Sequence, residues 1–149
     1  MYSINYFLIS VILLVMFNNC FVHSMTREQI KNSGKLIKKT CSAKNDLTED
    51  EVKDVDKGKF LEKKDFMCYI ACVYKMGQSV SFNVKGSTIN HDMMLRQVDI
   101  MFPNDMKAPV KAAIEHCRPV AKNYKDLCEA SYWTAKCIYD FDPANFMFP

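Results

Sequence analysis

The sequence lacks the short motifs that mark the common classes of enzyme. It contains no G-x-S-x-G nucleophile elbow, no P-loop and no zinc signature. Many of its carboxylates alternate with lysines, as in the stretch TEDEVKDVDKGK, and this pattern is typical of a solvated surface. The sequence therefore predicts a protein that is not an enzyme and that uses neither a cofactor nor a metal ion.

The sequence also lacks a long run of one charge. The net charge is +3 and the sequence pI is about 8.4, but acids are interleaved with the bases. Binding to nucleic acid usually requires clustered lysine and arginine, so we expect no nucleic-acid partner. No N-x-[ST] sequon occurs, and N-glycosylation is therefore not expected.

The first 24 residues contain no lysine, arginine, aspartate or glutamate. An apolar run from Phe7 to Phe17 precedes Asn18-Asn19 and then Val22-His23-Ser24, which is the layout of a secretory signal peptide. The run is too short to span a bilayer, which needs about 20 apolar residues. We expect a signal peptide over 1–24, cleaved after Ser24. The single domain over 25–149 should then be secreted, extracellular and not embedded in a membrane.

Helical signals cover nearly all of the remaining chain, and no strand-period alternation of useful length is present. Thr26 with Gln29, and Thr48 with Glu51, each fit a capping box. We predict an all-α fold with a turn-rich connection from Gly77 to Gly86. The predicted helices extend over about 26–39, 48–56, 62–76 and 87–102, from a cap at Asn104 through Pro109, and over about 124–141.

Removal of residues 1–24 leaves an even number of cysteines, which in a small secreted chain predicts disulfides. They are Cys41, Cys68, Cys72, Cys117, Cys128 and Cys137. Cys68 and Cys72 are one helical turn apart, about 6 Å at Cβ, which exceeds the usual disulfide separation of about 3.8 Å. Cys128 and Cys137 lie roughly 13 Å apart along one helix. This geometry removes several of the 15 pairings of six cysteines without selecting one.

The spacing C-x26-C-x3-C-x44-C-x10-C-x8-C resembles that of the insect pheromone-binding and general odorant-binding proteins. The stretches MCYIACVYKMG and LCEASYWTAKC and the aromatic end FMFP are also similar to that family. The resemblance implies about six helices that enclose an apolar cavity and are braced by three interlocked disulfides. The family's pairing, carried over, implies the disulfides Cys41–Cys72, Cys68–Cys128 and Cys117–Cys137.

The resemblance further implies a secreted carrier of small hydrophobic molecules, such as odorants, pheromones or other semiochemicals, through aqueous fluid. A membrane chemoreceptor is the implied partner protein, and the implied state is a monomer or a weak dimer. Many antennal members are acidic, whereas this chain is basic. That difference keeps open an alternative, a secreted effector or a saliva or gland protein on the same scaffold. Such a protein would act on a macromolecule and hold no internal ligand.

The family's cavity is lined by the inward faces of the helices that bear the second to sixth cysteines. The matching apolar positions are Met76, Val80, Met93, Met94, Val98, Ile114, Tyr132, Ala135 and Ile138. Tyr74 and Ser79 are the candidates for hydrogen bonds to a ligand alcohol or carbonyl. The clustered methionines suit a surface that adapts to different ligands. We expect the tail to fold back so that Phe146 and Phe148 form part of the cavity wall.

The family often couples ligand release to acidification. The titrating groups in this chain would be His91, His116, Asp140 and Asp142.

Overall fold

Six α-helices follow one another in the residues that the computed structural model describes, 24–83 and 86–149. Apart from Ser24, the predicted signal peptide lies outside these residues. The helices are α1 (Arg27–Lys44), α2 (Glu49–Val52), α3 (Lys64–Met76), α4 (His91–Met101), α5 (Asn104–Cys117) and α6 (Leu127–Phe141). Short 3₁₀ helices span Val55–Lys57 and Val120–Asn123. The predicted all-α class is confirmed. No helix among residues 24–83 and 86–149 combines the length and the apolar character that a bilayer span requires.

Both predicted capping boxes are present. The amide of Gln29 donates to the Thr26 hydroxyl over 3.2 Å, and the Thr26 amide donates to the Gln29 side chain over 2.8 Å. The Thr48 amide donates to the Glu51 carboxylate over 2.8 Å. This carboxylate is also bonded to Lys63, and these contacts lower the pKa of Glu51 to about 2. The caps satisfy amide groups that the first turn leaves without partners, and α1 and α2 therefore begin where the sequence predicts.

A β-hairpin occupies part of the predicted turn-rich connection and the first residues of the predicted helix over 87–102, and this is a correction. Strand β1 (Val80–Asn83) pairs antiparallel with β2 (Gly86–Ile89), and Val80 lies opposite Ile89. Strands of four residues are too short for a period of two to stand out in the sequence. Because β2 occupies 86–89, α4 begins at His91 and not at 87.

Helices α3 and α6 pack side by side and form the centre of the core. Phe66, Tyr69, Ile70, Tyr132 and Ala135 are fully buried. The rings of Phe66 and Tyr132 meet nearly edge to face, with centroids 6.3 Å apart, an arrangement that aromatic pairs favour. This core supports one wall of the cavity described below.

Three disulfides connect the helices. They join Cys41 to Cys72, Cys68 to Cys128 and Cys117 to Cys137, which are the pairs that the family resemblance implies. Their Cα atoms lie 5.7, 4.4 and 5.9 Å apart, respectively. Helix α3 is thereby fixed to both α1 and α6, and α5 is fixed to α6. These covalent links fix α1, α3, α5 and α6 relative to one another, and a space that side chains do not fill lies between these helices, α4 and the tail.

Candidate ligand-binding cavity

A cavity of about 640 Å³ lies between α1, α3, α4, α5, α6 and the tail 142–149. Nine of the thirteen residues that the sequence analysis assigns to the ligand site line it. These are Tyr74, Met76, Ser79, Met94, Val98, Ile114, Ile138, Phe146 and Phe148. Apolar side chains make up most of the wall of the cavity. A cavity of this size and character can hold a small apolar molecule.

The structure places the other four assigned residues away from this cavity. Tyr132 and Ala135 are fully buried in the contact between α3 and α6. Val80 is buried in β1. Met93 precedes Met94 by one residue, a rotation of about 100° around the helix, so the cavity-facing stripe of α4 passes through Met94 and Val98 instead.

Several lining residues are absent from the sequence-based assignment. They are Ile37, Val73, Gly77, Gln78, Gln97, Ile100, Met101, Phe102, Val110, Asn145, Met147 and Pro149. Ile37 and Val110 carried a usable signal, because they share apolar helical faces with Cys41 and Cys117. Gln97 carried none. Its position follows only from the rotation of α4 that places Met94, Gln97, Val98 and Met101 on one side.

Two polar residues at the end of α3 and just after it give the apolar cavity a hydrogen-bonding edge. Tyr74 is buried, and this burial raises the pKa of its hydroxyl above the ordinary range, so the group stays protonated at physiological pH. The hydroxyl of Ser79, which is also buried, donates to the carbonyl of Gly77 over 3.3 Å. A protonated phenol can both donate and accept a hydrogen bond, which suits recognition of a ligand oxygen.

The tail closes one side of the cavity through aromatic contacts. The ring of Phe148 meets those of Tyr69 and Tyr74 with centroids 6.3 and 6.1 Å apart. Phe146 stacks on Phe148 with centroids 5.8 Å apart and the planes nearly parallel. The Tyr69 hydroxyl donates to the main-chain oxygen of Pro149 over 3.0 Å. The tail therefore lies along the body of the protein as part of the wall.

Polar contacts and one close approach also position the tail. A Cβ atom added at Gly34 would lie 3.1 Å from the Pro149 ring. Because Gly34 has no side chain, the tail can pack closely against α1 at this position. Arg27 donates to the Asn145 side-chain oxygen over 3.2 Å and forms an ion pair with Asp105. Asn145 in turn donates to Asp142 over 2.8 Å.

The four candidate titrating groups lie outside the cavity lining. His91 is buried at the start of α4, and burial together with nearby Arg118 lowers its pKa. His116 is exposed and packs on the ring of Phe141, with centroids 4.6 Å apart. Asp140 pairs with Lys136 over 2.8 Å. Asp142 accepts the bond from Asn145 and is the group of the four that belongs to the tail.

Comparison with known proteins identifies relatives along most of the chain. The model of the PBP/GOBP family matches residues 23–140. General odorant-binding protein 72 of Anopheles gambiae is 32% identical over 126 residues, which cover 85% of this chain and all of that protein. The solved structure of Apis mellifera odorant binding protein 5 covers 85% of this chain and all of its own, at 28% identity and a TM-score of 0.71.

A further solved structure contains a bound molecule. Odorant Binding Protein 7 from Anopheles gambiae, with four disulfide bridges and in complex with an azo compound, is 25% identical with a TM-score of 0.54. The match covers 74% of this chain and 83% of that one. The described part of the present chain has three disulfides.

Proposed function

This chain belongs to the PBP/GOBP family, and from that premise we propose that it carries small hydrophobic molecules in the cavity between α1, α3–α6 and the tail. Odorants, pheromones or other semiochemicals are the proposed ligand class. The carrier desolvates such a molecule and moves it through aqueous fluid, and no covalent step is required.

The observation that carries this proposal is the cavity itself. It measures about 640 Å³, and most of its wall is formed by apolar side chains from several helices and the tail. Burying apolar area stabilises a complex by about 25 cal/mol per Å². A molecule that covers this wall therefore binds favourably without any charged contact. The complex of a mosquito relative with an azo compound is further support, because that relative takes up a small organic molecule.

Three parts of the proposal extend beyond the cavity. Cleavage after Ser24 would release the domain into an extracellular fluid, as the signal-peptide pattern predicts. Delivery to a membrane chemoreceptor is the proposed fate of the ligand. The proposed state of the carrier is a monomer or a weak dimer.

Extraction and displacement test the proposal together. Purified protein is extracted with organic solvent, and the extract is analysed by mass spectrometry. A panel of volatile alcohols, esters and fatty acids is then tested for displacement of a neutral fluorescent naphthylamine probe. A carrier releases or takes up small apolar compounds in one-to-one stoichiometry. Protein that releases none and binds neither the probe nor any compound would instead support the effector alternative.

A further inference from the structure

One face of α1 carries four lysines. Lys31, Lys35, Lys38 and Lys39 follow the spacing i, i+4, i+7 and i+8, which brings side chains to one side of a helix. The helix contains a single acid, Glu28. Acids elsewhere in the chain offset these charges in the sequence as a whole, so the basic face appears when α1 is considered by itself.

This face forms one wall of a surface groove of about 640 Å³, which we call the lysine groove. Residues from 47 to 57 form the facing wall, which adds two more lysines and two acids. The lining charged residues are Lys31, Lys35, Lys38, Lys39, Lys53, Lys57, Glu49 and Asp56. Cations therefore outnumber anions in the groove.

Among the described residues, three of the six lysines are paired with carboxylates and three are not. Lys31 lies 3.5 Å from Asp56, Lys53 lies 2.8 Å from Asp50, and Lys57 lies 2.7 Å from Asp54. In the described part of the chain, no carboxylate lies within 4.0 Å of the remaining three lysines. These are Lys35, Lys38 and Lys39. Their charges are available to an external anion.

The lining of the lysine groove also has an apolar part. Leu47 and Val52 contribute to it while being only 8% and 1% exposed, so they are recessed below the lysines. Phe148 and Pro149 of the tail also line it. The same two residues line the apolar cavity, so the tail separates the two spaces.

We propose that the lysine groove binds single-chain anionic amphiphiles, such as an alkyl carboxylate, at a site distinct from the apolar cavity. The headgroup lies among Lys35, Lys38 and Lys39, and the alkyl chain lies over Leu47 and Val52 against the tail. Charge attraction alone would be weak at this exposed position, and the apolar part adds hydrophobic contact. A flat bilayer would reach the lysines but not the recessed side chains, which is why a single molecule is the favoured occupant.

Sodium decanoate and 1-decanol, titrated below their aggregation limits, test this proposal. Binding is read from the methyl NMR shifts of Leu47 and Val52, which line the lysine groove and do not line the apolar cavity. The test variant is Lys35→Gln/Lys38→Gln/Lys39→Gln. The control is Lys75→Gln/Lys122→Gln/Lys125→Gln, which removes the same charge at exposed positions outside the groove. Circular dichroism establishes that both variants fold.

We expect the test variant to bind decanoate about tenfold more weakly, since three surface charge contacts are lost. The control should stay within about twofold of the parent protein, and 1-decanol should not shift the methyl groups of Leu47 and Val52. Equal decanoate affinity of the two variants would overturn the proposal. Equal shifts with 1-decanol, or binding to phosphatidylserine vesicles without binding to decanoate, would also overturn it.

The affinity of the cavity for the neutral naphthylamine probe is measured on the same variants. It should be unchanged in both. A failure of the lysine groove is therefore distinguishable from a failure of the proposed carrier function.

Discussion

The hydroxyl of Tyr69 donates a hydrogen bond to the main-chain oxygen of Pro149, 80 residues further along the chain, over 3.0 Å. Tyr69 belongs to the core of α3 and is fully buried, so its position is determined by packing. The hydrogen bond therefore holds Pro149 of the tail in place against α3. The Tyr69–Phe148 ring contact places a cavity-lining aromatic beside the same anchor.

Substitution of Tyr69 by phenylalanine should loosen the tail while leaving the core packed. It removes one hydrogen bond, worth about 1 kcal/mol, and preserves the ring. We expect probe affinity to fall by up to about fivefold and hydrogen exchange to rise at the amides of residues 144–148. Probe fluorescence titration and hydrogen-exchange mass spectrometry provide the two measurements.

Deletion of residues 143–149 is the stronger form of the same test. It removes Phe146 and Phe148 from the cavity wall and should reduce probe affinity more than Tyr69→Phe does. If the deletion and the parent protein bind the probe equally, the tail does not contribute to the ligand site.

Tyr74 should discriminate among ligands by their hydrogen-bonding groups. Because its buried hydroxyl remains protonated, it can bond to a ligand alcohol or carbonyl. Tyr74→Phe should weaken binding of alcohols and esters about threefold to tenfold. Binding of the corresponding alkanes should stay the same. Competition against the naphthylamine probe measures both sets, and a uniform loss across them would contradict a polar role for Tyr74.

The disulfides should differ in their contribution to stability. Cys68–Cys128 spans 60 residues and Cys117–Cys137 spans 20. On the chain-entropy model, removing the first by double serine substitution should cost about 4 kcal/mol and removing the second about 3 kcal/mol. Denaturant unfolding of the two variants measures both losses. A larger loss for Cys117–Cys137 would show that these disulfides do not stabilise the protein mainly by restricting the unfolded chain.

His91 should make the protein less stable as the pH falls below about 6.5, the ordinary histidine pKa expected in the unfolded chain. Burial and the neighbouring Arg118 lower its pKa in the folded state, although Glu115 and Asp92 oppose this shift. Between the two pKa values the unfolded chain binds more protons. The free energy of unfolding therefore decreases as the pH falls through that interval.

Urea unfolding of the parent protein and of His91→Gln at pH 7 and pH 5 measures this effect. The difference in stability between the two pH values should be smaller for His91→Gln. An equal difference in the two proteins would show that His91 titrates alike in the folded and unfolded states.

The helical class and most helix starts could be predicted from the sequence because their signals are local. The capping boxes at Thr26 and Thr48 place the starts of α1 and α2 without any tertiary information. The family pattern of cysteines supplied the pairing, which helix geometry alone left open. The hairpin could not be predicted, since β1 and β2 are stabilised by pairing with each other and contain only four residues each.

On the helices, the sequence-based assignment of the cavity lining depended on apolar faces, and it could not separate neighbouring apolar residues. Met94 and Val98 line the cavity and Met93 does not, and this choice depends on how the disulfide-bound helices orient α4. The basic face of α1 was hidden for a different reason. Lys31, Lys35 and the adjacent pair Lys38 and Lys39 are separated by apolar and polar residues in the sequence, and the helical period brings the four side chains to one side.

The most direct measurement of the central claim is the effect of filling the cavity on probe binding. Val98 is 3% exposed and lines the cavity from α4, whereas Leu95 lies on the same helix outside its lining. Val98→Trp and Leu95→Trp add an indole at these two positions, and unfolding curves identify folded variants. Naphthylamine titration should give saturable one-to-one binding for the parent protein and for Leu95→Trp, and at least about a tenfold loss for Val98→Trp. Undiminished binding by folded Val98→Trp would contradict the assignment of the ligand to this cavity.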